Sequence, residues 1–131
     1  MLQVVAQRRP KDTEMDFLVE RPPQEVLDRA ETCLWLRGFH VSLSERTRST
    51  SLFSRVHVPK KGLLKRLINN FVSAPTPVQK VRLIASDAGE GRTRLTVIEA
   101  RQGELPEEWM GIEAEVEQWV FEELGGMYWP L

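Results

Sequence analysis

The chain has 131 residues, 41% apolar and 28% charged, with a formal net charge of −1. That length and balance predict one globular domain spanning residues 1–131, able to bury about two-thirds of its unfolded surface, and give no reason to invoke disorder or a fibrous repeat. A single cysteine, Cys33, excludes an internal disulfide and a thiolate cluster for structural zinc.

In chain order, Met15, Phe17 and Val19 alternate with Asp16, Leu18 and Glu20, which predicts a half-buried strand ended by Pro22 and Pro23. Val26, Leu27, Ala30, Cys33 and Leu34 then fall on one helical face, so a first helix is expected over about Gln24 to Arg37, with Gly38 as its stop. Val41 and Leu43 alternate with Ser42 and Ser44. After a polar stretch, Leu52, Val56 and Val58 oppose Phe53, Arg55 and His57, and the two runs read as a hairpin. Between Lys60 and Ser73, Leu63, Leu64, Leu67, Ile68 and Phe71 recur with helical spacing against Lys65, Arg66, Asn69 and Asn70, predicting a short amphipathic helix near 62–72. A proline-rich connector, Ala74 to Pro77, follows.

Val78 to Ser86 and Arg92 to Ala100 flank a loop with Gly89 and Gly91, a second hairpin. Pro106 is expected to open a long final helix whose stripe is Trp109, Ile112, Val116, Trp119, Val120 and Leu124, stopped by Gly125 and Gly126. Leu2 to Val5 adds a candidate edge strand. The expected class is therefore α+β: a single antiparallel sheet of about five strands in the order β-α-β-β-β-β-α. A long C-terminal helix and a shorter N-terminal helix would pack on one face, because both apolar stripes need burial. No apolar run reaches the roughly 18 residues of a membrane span. The opening MLQVVAQRRPKD also places its charges after its apolar stretch, the reverse of a secretory signal, so a cytoplasmic location is expected.

The usual signatures of chemistry are missing from the pattern. His40 and His57 have no metal-ligand spacing, and no phosphate loop, nucleophile elbow or dinucleotide fingerprint occurs, so no catalytic residue, metal or cofactor is assigned. Glutamates 107, 108, 113, 115, 117, 122 and 123 read as the solvated side of the last helix, and Cys33 as a buried apolar residue of the first.

Charge is segregated along the chain. From Arg46 through Ser86 no acid occurs and nine cations give a formal +9, which leaves −10 on the rest. Candidate anion-binding residues are Arg55, Lys60, Lys61, Lys65, Arg66, Lys80 and Arg82. Strand alternation places Arg55, His57, Lys80, Arg82 and Arg94 on the sheet face opposite the helices, interspersed with Phe53, Ile84 and Ile98. Such a face suits nucleic acid, with Phe53 as a stacking surface, although a pI near 6.2 weighs against it, whereas the separate stretch Lys60 to Phe71 suits an anionic membrane surface or packs as a lid or on the core. The alternative is that these cations pair across strands with Glu20, Glu45 or Glu99 and that the apolar members cover a homodimer contact.

Asp16-Phe-Leu-Val-Glu-Arg-Pro-Pro-Gln-Glu-Val-Leu-Asp-Arg-Ala30 resembles the first strand and helix of the START and polyketide-cyclase-like helix-grip superfamily. The element order is equally similar to one half of a TATA-binding-protein-like fold. The helix-grip resemblance implies a sheet curled round the final helix with an apolar cavity between them, and hence an apolar small molecule as ligand. Phe71, Trp109 and Trp119 are the candidate ligand-binding residues. The function expected is a non-catalytic binding or interaction domain. The tail, Met127 to Leu131, is expected to pack back on the domain.

Overall fold

A computed structural model describes residues 13–56, 77–103, 105–109 and 111–130. It contains β1 (Thr13–Val19), α1 (Pro23–Leu36), β2 (His40–Val41), β3 (Thr50–Val56), β4 (Val78–Gly89), β5 (Arg92–Gln102), α2 (Ile112–Glu123) and β6 (Met127–Tyr128). The strands form one open antiparallel sheet in the order β2-β3-β4-β5-β1-β6, with both helices packed against it. The α+β class and the antiparallel sheet are those expected from the residue pattern.

Alternation decides which side chains meet the helices. Met15, Phe17 and Val19 of β1, Val81, Leu83 and Ala85 of β4, and Leu95 and Val97 of β5 point inward. They share one core with Val26, Leu27, Ala30, Cys33 and Leu34 of α1 and Ile112, Val116, Trp119 and Val120 of α2. The β4–β5 turn runs through Gly89 (φ +88°), Glu90 (φ 56°) and Gly91 (φ +72°), all left-handed, with Asp87 Oδ1 accepting the Gly89 N–H at 2.8 Å.

Several expectations change in detail. There are six strands: the tail supplies β6, whose Phe17↔Tyr128 and Leu18↔Met127 pairing docks it on β1. Tyr128 stacks on Phe17 with ring centroids 4.9 Å apart, so an aromatic contact secures a strand of two residues. Gly126 makes the approach possible, because a Cβ there would stand 2.9 Å from Val120 Cγ1 and 3.0 Å from Val19 Cγ2. The relative helix lengths are reversed, 14 residues in α1 and 12 in α2. Pro106 does not open α2. Glu107–Trp109 forms a separate 3₁₀ turn held to the sheet through the Trp109 carbonyl, and Gly111 caps the helix proper. The strand expected around Val41 and Leu43 is only His40–Val41, since Leu43–Glu45 turns into a 3₁₀ helix. Leu2 to Val5 and the helix expected near 62–72 lie outside the described residues.

Candidate functional site

The strand β3 has the opposite phase to the one its hydrophobic pattern suggests. Ser51, Phe53 and Arg55 face the helices, while Leu52, Ser54 and Val56 face away. Arg55 and Phe53 therefore leave the proposed basic sheet face, a correction with a clear physical cause. Arg55 is 9% exposed, and each nitrogen of its guanidinium has a polar partner. Its Nε donates to Gln79 Oε1 at 2.7 Å, Nη1 to the Arg37 carbonyl at 3.2 Å, and Nη2 meets Glu115 Oε1 at 3.4 Å. Its Cζ lies over the Phe39 ring, 4.4 Å from the centroid, and over the Trp109 ring, 4.3 Å from the centroid, giving two cation–π contacts. Burial pulls the guanidinium below its ordinary value, and Glu115 and then Glu99 push it back up.

This arginine is one end of a buried polar chain. Gln79 is fully buried and its amide donates to Glu99 Oε2 and to the Trp109 carbonyl, both at 3.1 Å. Glu99, 1% exposed, also accepts from Arg101 Nε at 2.7 Å. The chain ties β3, β4 and β5 to the end of α1, the 3₁₀ turn and α2. A buried charge needs this degree of pairing. Its parts are spent on one another, so it reads as the pin that sets the 3₁₀ turn on the sheet.

The sheet face turned away from the helices is different. Rows of residues cross it in register: Leu52, Arg82, Ile98 and Glu14 in one, Thr50, Ile84, Thr96 and Asp16 in the next, and Ser86, Arg94, Leu18 and Met127 beyond. Leu18, Leu52, Ile84 and Ile98 are half-buried at its centre. Lys80, Arg82 and Arg94 are on it as expected. Arg82 lies 3.6 Å from Glu45, and Arg94 lies 3.3 Å from Asp16 and 4.7 Å from the Trp129 ring centroid. Lys80 and Glu14 form no ion pair among the described residues. The face carries acids as well as cations around an aliphatic centre, and the acids could be read in the sequence only once their register was known.

Of the other expected site residues, Trp119 is buried at the contact of α2 with the core, and its indole N–H makes no hydrogen bond among the described residues. Trp109 covers Arg55. Phe71, Lys60, Lys61, Lys65, Arg66 and His57 lie outside the described residues. Cys33 is buried, and burial pushes its thiol up, against nucleophilic use. His40 is exposed on β2. Of the α2 carboxylates, Glu115 serves Arg55 and Glu117 accepts the Tyr128 hydroxyl. Among the described residues no group of three or more His, Cys, Asp or Glu side chains is placed to hold a metal ion, and no helix is long and apolar enough to cross a membrane. A shallow groove of about 230 Å³ lies beside α1, lined by Asp28, Glu31, Thr32, Trp35, Val41 and Phe53. Arg46 already spans its acids, at 2.8 Å from Glu31 and 3.4 Å from Asp28.

Fold and surface together define an α+β domain with an open antiparallel sheet, one side sealed by two helices and the other presenting an aliphatic patch among charges. No protein-family model, curated protein or solved structure matches the chain.

Proposed function

We propose that this domain is an interaction module whose working surface is the sheet face opposite the helices. The observation that carries the reading is the row Leu52–Arg82–Ile98–Glu14 with its neighbours Leu18 and Ile84: aliphatic side chains at the centre, ionic groups around them. Apolar centre and charged rim are the ordinary anatomy of a protein–protein contact. Aliphatic groups of this kind add little to the fold while exposed, and their burial by a partner supplies about 25 cal/mol per Å². The test is site-specific photo-crosslinking in the native cell. A benzophenone side chain replacing Ile98 is expected to give a discrete adduct, and one replacing Glu122, exposed on α2, to give none. No adduct at Ile98 would sink the reading.

A second reading is favoured by one observation. The N–H of Trp119, a residue 1% exposed at the contact of α2 with the core, lacks an acceptor among the described residues, and leaving such a donor unmet costs about 1–3 kcal/mol. A small apolar molecule with a carbonyl or ether oxygen, held between sheet and α2 as the helix-grip resemblance implies, would supply one. Denaturing mass spectrometry of the purified protein would then reveal a co-purified compound, retained by the natural chain and lost in Trp119→Phe. Absence of any small molecule released from the natural chain removes this reading.

A further inference from the structure

We propose that the occupant of the open sheet face is a second copy of this chain, docked about a two-fold axis that runs along β5; the inference rests on that face being the working surface. Its basis is how charge is divided among the strands. The cations Lys80 and Arg82 stand on β4, the acids Glu14 and Asp16 on β1, and β5 separates them with Thr96 and Ile98. Arg94, on β5 itself, is engaged by Asp16 and by the Trp129 ring.

A two-fold axis along a strand turns the face over without reversing strand direction, so β4 of one copy lies over β1 of the other, row for row. Arg82, Ile98 and Glu14 share one row. Each Arg82 therefore meets Glu14 of the other copy, twice by symmetry, and Ile98 meets its own counterpart on the axis. Lys80 stands one step of this face away, about 6.8 Å along the strand, a gap its flexible stem can bridge. The contact is isologous, the commonest kind between identical chains. It also turns two residues of this face that form no ion pair among the described residues, Lys80 and Glu14, into partners. Arg82 is released for it easily, since its contact with Glu45 is long and both side chains are more than a third exposed. An anionic surface fits less well, because Glu14 and Asp16 would be pressed against it.

Size sets the strength. Strands β3, β4, β5 and β1, spaced about 4.8 Å apart and about seven residues long, give a patch of roughly 19 by 24 Å, or about 500 Å² per copy. Stable complexes bury about 800 Å² per partner, so a weak, reversible dimer is expected, with a Kd on the order of 10⁻⁵ M.

The experiment is sedimentation of the full chain over a range of concentrations, alone and with two charge reversals. The natural chain is expected to pass reversibly from monomer to dimer. Arg82→Glu and Glu14→Arg are each expected to weaken self-association at least about tenfold, because like charges then face each other. Mixed one to one, the two variants are expected to form a heterodimer as tight as the natural dimer, since one charge pair is then the natural one and the other is restored in swapped form. That regain also shows that neither variant merely failed to fold. A natural chain that stays monomeric up to about 1 mM, a thousandfold below the standard state, or reversals that dimerise unchanged, would overturn the proposal. In that case an Ile98 cross-link to a protein of another mass preserves the interaction reading, whereas no cross-link sinks both.

Discussion

Along β5, Leu95, Val97 and Glu99 are at most 1% exposed, while Thr96 and Ile98, their immediate neighbours, are half-buried on the other side. The same strands thus build two surfaces under different constraints. The helix side is a closed core in which even ionic groups are tolerated, on condition that each is paired: Arg55, Gln79 and Glu99 satisfy one another inside it. Among the described residues, the open side keeps aliphatic residues without covering them by a helix, and its ion pairs are long or exposed. A side chain's chemistry alone therefore does not reveal its face. An arginine is inside and isoleucines are outside, and pairing in the one case and a vacant surface in the other make both acceptable.

Substitutions can break this contrast, beginning where the effect should be greatest. On the helix side, Arg55→Ala strips donors from Gln79 and the Arg37 carbonyl and empties the slot between Phe39 and Trp109. Urea unfolding is expected to show a loss of about 3–5 kcal/mol. Trp119→Ala should cost a similar 3–5 kcal/mol through the cavity it leaves, and Trp119→Phe far less, because it removes a donor that has no acceptor among the described residues. Next is the hinge between α2 and β6. Gly126→Ala forces a methyl against Val120, Val19 and the Leu18 carbonyl, and thermal unfolding should report about 1–3 kcal/mol of destabilisation.

The smallest effect, and the most local, is a titration. Tyr128 is the chain's only tyrosine, and the hydrogen bond to Glu117 pushes its pKa up to about 12. A raised pKa means that the fold favours the protonated phenol. Whatever this anchor adds to stability is therefore complete below about pH 10, the unfolded value, and is lost as pH rises through about 12. Tyrosinate absorbance followed against pH should show the late transition, and Glu117→Gln should bring it back towards about 10.

Much of this arrangement was legible in the residue pattern, and the exceptions have causes. Met15, Phe17 and Val19, the stripe Val26 to Leu34, and the two glycines of the β4–β5 turn each combine a clear period with a clear stop, so strand, helix and hairpin follow from them. In β3 the pattern misled: Leu52 and Val56 outnumber Phe53 on the opposite set, and an arginine in the Phe53 set suggested solvent. What reversed the phase was the set of partners waiting inside, Gln79, Glu115 and two aromatic rings, all from distant parts of the chain. The strand β6 went unseen because two residues have no period, and its place depends on stacking against Phe17. The open face was half legible. Its cations stood out as an acid-free segment, but the acids that divide it came from β1, whose place beside β5 is set by sheet topology and not by any local signal.

The most direct test of the two-sided account is chemical unfolding of Val97→Gln beside Ile98→Gln, adjacent β-branched aliphatic residues on opposite faces of β5. A buried, unpaired amide at Val97 is expected to cost several kcal/mol, whereas the same change at Ile98 should leave the unfolding free energy within about 1 kcal/mol of the natural chain. An equal, large loss from Ile98→Gln would contradict it, because that face would then be a second core and not a surface kept open for a partner.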